Sequence, residues 1–266
     1  MILNLSDYGC LKICGENAQT FLQGQLTCDM REITNEKASY AAYCNNKGRT
    51  LAVLRVIKYH QDYLLFTTGK FVEPLIKNLK KFGQFSKVNI ELVSPTVNHY
   101  GICGKNAESV LKKITQLEIP TEINQVIQND EFILFKNAGE NNFELISWST
   151  EISESEIDDT LWKQTLIESL VPAINELTCE KFTPHMLGLK NLNALSFKKG
   201  CYVGQEIVAR TEHLGKMKRK LQIGISENGL MQTGSSLIDA QGNEIGTIIN
   251  HCNLSNNSTQ WLAVAS

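Results

Sequence analysis

An internal repeat is the feature that most constrains how this chain can fold. The segment Ile13 to Leu22, ICGENAQTFL, aligns with Ile102 to Leu111, ICGKNAESVL, and six of the ten positions are identical. Each copy has the pattern of a strand, a glycine turn and a helix. The distance between the copies is far longer than the period of a solenoid. The sequence therefore predicts two copies of one strand–turn–helix unit, with chance similarity as the weaker alternative.

The segments that follow each copy extend this prediction. After the first copy, apolar and β-branched runs predict strands, with a hairpin at Asn45-Asn46-Lys47-Gly48, then a helix and one more strand. After the second copy, two strands and a helix are predicted. The predicted strands are 39–44, 50–59, 63–67, 87–93, 131–136 and 143–147, and the predicted helices are 71–82 and about 154–169. This order indicates α+β layers with antiparallel sheets.

The last part of the chain has a different pattern. Prolines 172 and 184 bracket an irregular connection, and short strand-like pieces separated by glycines follow residue 220. We therefore predict an α+β protein of two related subdomains plus a small C-terminal β-barrel-like domain. The predicted boundaries are 1–95, 96–175 (ferredoxin-like), a return segment at 176–220, and a short β domain at 221–266.

Composition and charge exclude several classes of protein. The chain is 42% hydrophobic and 20% charged with a net charge of −2, so no general polyanion-binding surface is expected. It has no apolar run long enough for a membrane helix and no signal peptide pattern, so a cytoplasmic protein with no membrane contact is predicted. The eight cysteines form no Cys-x-x-Cys pair and the five histidines are scattered, so no metal site is predicted.

The strongest chemical signal is the tract from Lys198 to Glu206, KKGCYVGQE. It places Cys201 beside a lysine pair and just before a predicted helix at 207–213. Nearby cations and a helix N-terminus both favour the thiolate, which is the reactive form of cysteine. The alternative is a tight turn in which Cys201 fills a small apolar gap, and sequence context alone weights the two equally.

Basic residues are concentrated in the same region. Between Lys198 and Lys220 there are seven basic residues and two acidic ones. Such a patch suits an anionic small molecule or a limited contact with RNA. For Lys216 to Lys220 taken alone, a solvated basic strand start is at least as good an interpretation.

The Cys201 tract resembles the signature Lys-Gly-Cys-[Tyr/Phe]-x-Gly-Gln-Glu of the YgfZ family, folate-binding proteins related to the T-protein of the glycine cleavage system. Three further segments are similar to the same family: 21–29 (FLQGQLTCD), 182–187 (FTPHML) and 207–212 (IVARTE). Together the four segments span most of the chain in order.

The resemblance implies a ring-like assembly of two α+β subdomains and a β-barrel around a central folate pocket. It also implies a role in maturing or repairing iron–sulfur proteins, among them tRNA-modifying enzymes. The signature carries over to Lys199, Gly200, Cys201, Tyr202, Gly204, Gln205 and Glu206. Cys201 is then expected to be the functional thiol, with Lys199 stabilising the thiolate. The expected ligand is tetrahydrofolate or a derivative, and the expected partners are iron–sulfur client proteins or cluster-assembly factors. The expected folate contacts are Lys47, Arg49, Tyr202, Gln205, Glu206 and Arg210, of which Lys47 and Arg49 could meet a glutamyl carboxylate.

One departure from the T-protein pattern separates the functional alternatives. As the resemblance is aligned, T-proteins place a catalytic aspartate shortly after the glycine of the predicted hairpin, where this chain reads GRTLAV from Gly48 to Val53. Because this chain has no carboxylate there to assist attack on a folate-bound methylene, tetrahydrofolate-dependent aminomethyl or one-carbon transfer is disfavoured and is the second hypothesis. A non-enzymatic RNA-contacting module is the third, disfavoured by the net charge and the lack of an aromatic basic platform. The C-terminal β region is also short for the family.

Overall fold

A computed structural model describes residues 1–68, 72–153, 159–214, 217–227, 231–254 and 257–266. Along these residues the strands are β1 (Ile2–Asn4), β2 (Tyr8–Cys14), β3 (Ser39–Cys44), β4 (Thr50–Tyr59), β5 (Asp62–Thr68), β6 (Asn89–Leu92), β7 (Asn98–Cys103), β8 (Val126–Gln128), β9 (Phe132–Lys136), β10 (Asn142–Ser147), β11 (Lys220–Ser226), β12 (Ser236–Ile238), β13 (Glu244–Asn253) and β14 (Thr259–Ala265). The helices are α1 (Ala18–Gln25), α2 (Val72–Gly83), α3 (Ala107–Thr115), α4 (Thr160–Glu168) and α5 (Gln205–Leu214).

Three antiparallel sheets organise these elements. The first sheet has the strand order β3–β4–β5–β2–β6, and the second has the order β1–β7–β10–β9–β8. The third, at the C-terminal end, has the order β11–β14–β13–β12. This is the predicted α+β class, and the predicted strands match observed strands to within a few residues at each end.

The internal repeat is confirmed in detail. In both copies a strand, β2 or β7, runs through a glycine with positive φ into a helix, α1 or α3. The φ angle is +115° at Gly15 and +95° at Gly104, a region that side chains with a Cβ rarely enter. The helices then begin after Asn17 and Asn106, whose φ and ψ angles agree within a few degrees.

The first two sheets pack face to face, because their central strands are apolar on both sides. In β5, Tyr63 and Leu65 pack in the core beneath α1 and α2, whereas Leu64 and Phe66 pack in the core between the two sheets. Strand β9 repeats this alternation, with Phe132 and Leu134 in the core under α3 and with Ile133 and Phe135 between the sheets. Since both faces of these strands are buried, their sequences are continuously apolar. They do not alternate between apolar and polar residues, as strands do in a sheet with one face in water.

Two boundaries differ from the prediction. Strand β1 pairs with β7, so Ile2–Asn4 belong to the second sheet although the boundaries assigned residues 1–95 to the first subdomain. The N-terminal turn at Leu5 continues this connection, since its amide donates to the His99 carbonyl. The predicted helix at 154–169 is observed from Thr160 to Glu168, and 154–158 lie outside the described residues.

The C-terminal sheet is open where the structure describes it. Its strands form a linear order with β11 at one end and β12 at the other, and no pairing closes β11 onto β12 in the described ranges. The sheet is held to the body through α4, since Ile167 packs with Cys252 and Leu262 in one buried cluster. The predicted barrel-like domain is therefore observed, in the described residues, as an open four-stranded sheet with register shifts in β12 and β13 rather than as a closed barrel.

Candidate functional site

The hairpin between β3 and β4 meets the start of α5. Gly48 in the hairpin and Gly204 just before α5 have φ angles of +65° and +83°. A Cβ at Gly204 would lie 2.5 Å from the Asn45 carbonyl oxygen, and a Cβ at Gly48 would lie 2.9 Å from the Ile207 Cβ. Both positions therefore require glycine, because each has a positive φ and because a Cβ would collide with the hairpin backbone at Gly204 and with the Ile207 side chain at Gly48. The predicted hairpin and the cysteine tract form one contact.

Lys199 fastens the cysteine tract to the end of α1. The side chain is buried, and its Nζ donates to the carbonyl oxygens of Leu26 and Cys28, both at 2.7 Å. The ammonium also lies 5.0 Å from the centroid of the Tyr202 ring. Burial lowers the pKa of Lys199 to about 8. Both hydrogen bonds of the ammonium thus go to backbone carbonyls just after α1. The expected role of Lys199 in stabilising the Cys201 thiolate stays a prediction.

Cys201 projects to the surface beside this anchor. All eight cysteines lie in the described residues, and Cys201 is the one that is exposed. Burial raises the pKa of the Cys28 and Cys44 thiols to about 12, and it also raises the pKa of the half-buried Cys14 and Cys179 thiols. Access therefore distinguishes Cys201 from the other cysteines. The interpretation of Cys201 as a filler of an apolar gap is wrong.

Gly200 has no steric reason to be glycine within the chain itself. A Cβ at Gly200 would meet no atom of the described residues within 4 Å, whereas a Cβ at Gly204 would lie 2.5 Å from the Asn45 carbonyl oxygen. Of the two glycines of the signature, Gly204 makes a close backbone approach, and the backbone beside Cys201 is open.

The other predicted folate contacts gather around the hairpin and α5. Lys47 is exposed at the hairpin, and the Arg49 guanidinium donates to the Lys181 carbonyl at 2.8 Å. Glu206 and Arg210 are exposed on α5, and Gln205 is half-buried in its first turn. The ring of Tyr202 is buried, and its hydroxyl has no hydrogen-bond partner among the residues that the structure describes. The structure brings these residues into one region, but none of them lines the central cavity.

A buried polar cluster between the first two sheets was missed from the sequence. Arg55 on β4 donates to the side-chain oxygens of Asn124 and Asn137, and its guanidinium lies 3.5 Å from the centroid of the Tyr40 ring. Asn137 also donates to Glu144 at 2.7 Å. Charged residues inside apolar strands, Arg55 in LAVLRVI and Glu144 in FELIS, were the signal that could have found this cluster.

Glu144 is held ionised in this cluster. Its second carboxylate oxygen lies 2.7 Å from His99 Nε2, and all of these side chains are buried. Burial by itself would raise the pKa of the Glu144 carboxyl, but the hydrogen bonds from His99 and Asn137 and the positive charge of Arg55 outweigh it and lower that pKa. The cluster thus contains an ionised carboxylate and the Arg55 cation, both buried between the first two sheets.

The cluster borders a central cavity that adjoins a larger groove. The cavity measures about 50 Å³ and is lined by Tyr40, Arg55 and Glu144 together with residues of β5 and the segment after α4. It shares Tyr8 and Thr68 with a surface groove of about 950 Å³. Together they have the size of a site for a cofactor-sized ligand, with the polar recognition groups at the inner end.

The residues of β4 that line the cavity include no aspartate or glutamate, because the β4 sequence contains none. Val53 and Leu54, which precede Arg55 on β4, are among the residues that line the cavity. Glu144 is therefore the carboxylate among the cavity-lining residues, and it is engaged by His99 and Asn137. A carboxylate positioned to assist chemistry on a bound methylene group is not provided by this strand.

Two further features concern metals and membranes. Among the described residues, no group of three histidine, cysteine, aspartate or glutamate side chains converges as a metal site. Within the same ranges, no helix has the length and apolar character needed to cross a bilayer. Of the basic residues predicted as a possible RNA contact, Lys218 and Arg219 are exposed, and Lys216 lies outside the described residues.

Comparison with known proteins agrees with this geometry. The family model for the GCVT N-terminal domain matches residues 1–160. The structure of glycine cleavage system aminomethyltransferase T from Bartonella henselae superposes with a TM-score of 0.73 over 99% of this chain and 78% of that one, at 14% identity. The fold, with its repeated units and central cavity, is that of a T-protein-like protein.

The sequence relatives define the family within that class. The tRNA-modifying protein YgfZ of Colwellia psychrerythraea is 33% identical over 228 residues, which cover 83% of this chain and 70% of that protein. The protein of the same name from Photobacterium profundum is 30% identical over 232 residues, covering 85% and 70%. The chain belongs to the YgfZ family.

Proposed function

We propose that this protein is a cytoplasmic, folate-binding accessory protein that supports the assembly or repair of iron–sulfur proteins, including tRNA-modifying enzymes, with Cys201 as its reactive thiol. The observation that carries the proposal is the exposed Cys201 on a backbone fastened by Lys199 and Gly204. An accessible thiol beside an open backbone suits contact with a partner protein, because a partner can approach the sulfur without rearranging the fold. The names of the YgfZ relatives supply the link to tRNA modification.

The test of the thiol compares two cysteines in a strain that lacks the protein. We expect Cys201→Ser to lose the rescue of an iron–sulfur tRNA-modifying enzyme, measured as the modified nucleoside in bulk tRNA. Cys14→Ser is the matched control because Cys14 is half-buried with a raised pKa, and it should rescue normally. Full rescue by Cys201→Ser, at equal protein level, would show that the thiol has no essential role.

We further propose that a reduced folate binds in the surface groove with its ring system towards the central cavity. Glu144 and Arg55 supply charged partners for a polar bicyclic ring, and Tyr40 supplies an aromatic face. This location competes with the exposed region around Lys47, Arg49 and Arg210. Thr68→Phe, at the junction of cavity and groove, should abolish tetrahydrofolate binding in calorimetry, and Lys47→Gln with Arg210→Gln should not. The reverse result would place the folate beside α5 instead.

The alternative is a tetrahydrofolate-dependent aminomethyl or one-carbon transferase. The acid-free wall of β4 is unfavourable for it, since Val53 and Leu54 cannot take or give a proton. An assay for tetrahydrofolate-dependent release of ammonia or formaldehyde from an aminomethyl donor separates the two functions. Turnover lost in Glu144→Gln would favour the transferase.

A further inference from the structure

A second cavity lies where the return segment, α5 and β11 meet. It measures about 360 Å³, within the range of small-molecule sites. It shares no lining residue with the central cavity or with the groove beside it. Neither the thiol nor the proposed folate site uses it, so its chemistry must be explained separately.

A partly buried cluster of His185, Glu212 and Lys190 forms one wall of this cavity. His185 is 5% exposed, and its Nε2 lies 3.3 Å from the Glu212 carboxylate, whose other oxygen accepts from Lys190. Burial lowers the pKa of His185, so the ring is neutral at neutral pH and donates from Nε2. The cluster is thus internally paired, because the charges of Lys190 and Glu212 offset each other.

Lys220, at the start of β11, also lines this cavity. It is exposed at the start of β11, and in the described ranges it has no carboxylate partner. Lys218 and Arg219 precede it and are also exposed without an ion pair in those ranges. Two lysines and one carboxylate among the lining side chains leave a net positive charge, which favours an anion.

The remaining wall is apolar. Leu170, Met217 and Leu221 line the cavity, and Met217 is 46% exposed although it stands among basic residues. Methionine adapts its shape to flat or irregular apolar groups. A purely inorganic anion would leave this wall in contact with water, so the lining is matched to an anion that carries an apolar body.

We propose that this cavity binds a small organic anion, with its carboxylate or phosphate on Lys220 and its apolar or aromatic body against Met217 and Leu221. The class includes both free aromatic carboxylates and nucleoside monophosphates, which share an anionic head and a flat body. Lys190 and Asn191 provide polar contacts at the rim.

The test uses the five methionines as local reporters in the full-length protein labelled with ¹³C at the methionine methyl groups. Titration with 4-aminobenzoate, and separately with adenosine monophosphate, should shift the Met217 resonance saturably, while the buried Met30 resonance should stay in place. The neutral analogues 4-aminobenzamide and adenosine should shift it much less. The anion that binds more tightly shows whether the anionic group of the ligand is a carboxylate or a phosphate.

The matched variants are Lys220→Gln and Lys218→Gln. Lys220→Gln should weaken binding roughly fivefold, the effect of one ion pair at a partly exposed site, and Lys218→Gln should leave it nearly unchanged. Circular dichroism establishes that both variants are folded. Absence of a saturable Met217 shift would overturn the proposal. So would equal effects of the two variants, or equal binding of the neutral analogues.

Discussion

Gly48 and Gly204 touch backbone to backbone: a Cβ at Gly204 would lie 3.0 Å from the Gly48 Cα. This contact joins the first α+β unit to the segment that carries Cys201. Since both glycines have positive φ, neither residue can be replaced without strain in its own backbone as well as collision with the other. The position of the thiol is therefore set by the hairpin of a sheet that lies more than a hundred residues earlier in the chain.

Replacement of the two signature glycines should give opposite results. Gly204→Ala should lower the free energy of unfolding by at least ~2 kcal/mol, because of its positive φ and the collision with Asn45. Gly200→Ala should leave stability nearly unchanged, since its Cβ meets nothing. The free energy of unfolding of both variants is measured by urea unfolding. If Gly200→Ala folds normally but fails to rescue a deletion strain, the open backbone beside Cys201 is used by a partner.

Thiol labelling should identify Cys201 as the first cysteine to react. The reason is access, together with the raised pKa values of the buried thiols. Mass spectrometry after brief treatment with iodoacetamide at neutral pH should find the label on the peptide containing Cys201, and Cys201→Ser should remove it. Labelling of Cys14 or Cys179 before Cys201 would contradict the structure.

Lys199→Met should destabilise the protein and loosen the cysteine tract. Loss of the ammonium leaves the carbonyls of Leu26 and Cys28 without their donor, which costs about 1–3 kcal/mol. Lys198→Met, at an exposed position, is the control and should have the stability of the wild type. If Lys199→Met slowed the reaction of Cys201 without lowering stability, that result would support the role predicted from the sequence, a cation that stabilises the thiolate.

His185 should make stability decrease on mild acidification. Its pKa in the folded protein is lowered below 6.5 by burial, beside Glu212 and Lys190. Below pH 6.5 His185 is protonated in the unfolded chain, whereas in the folded protein it stays neutral until the pH reaches its lower pKa. The contribution of neutral His185 to the free energy of unfolding is therefore present above pH 6.5 and is lost as the pH falls. Urea unfolding between about pH 5.5 and 7.5 should show a shallower loss in His185→Gln than in the wild type. The exposed His213→Gln is the control, and equal slopes in all three proteins would exclude this effect.

The fold was predictable where local pattern decides it. The repeated ICG-x-NA segments encode a strand, a left-handed glycine and a helix start, and all three are local properties. The pairing of β1 with β7 was not predictable, because three apolar residues fit either sheet and the choice depends on long-range hydrogen bonding. The predicted and observed strand boundaries differ by only one or two residues, because the residues that begin and end a strand are also a local property of the sequence.

The sequence indicated which residues belong to the candidate site, but it indicated less about which atoms they contact. The residues around Cys201 favoured a reactive thiol and an apolar filler equally, and the structure shows that Cys201 is exposed. Whether Lys199 faces the sulfur or the interior depends on where the end of α1 lies, which no local pattern contains. Arg55 and Glu144 come from different sheets, so their contribution to one buried cluster could be read only after the sheets were packed together.

The pairing of Ile2–Asn4 with the second sheet also affects how the chain can be divided. A fragment that starts at residue 96 would contain β7 without its outer neighbour, and the exposed edge of β7 would be open to association with other molecules. A protease that cuts between the two halves would leave them held together through this short strand. The duplicated units are thus interlocked, and neither is an independent module that could be exchanged intact between proteins.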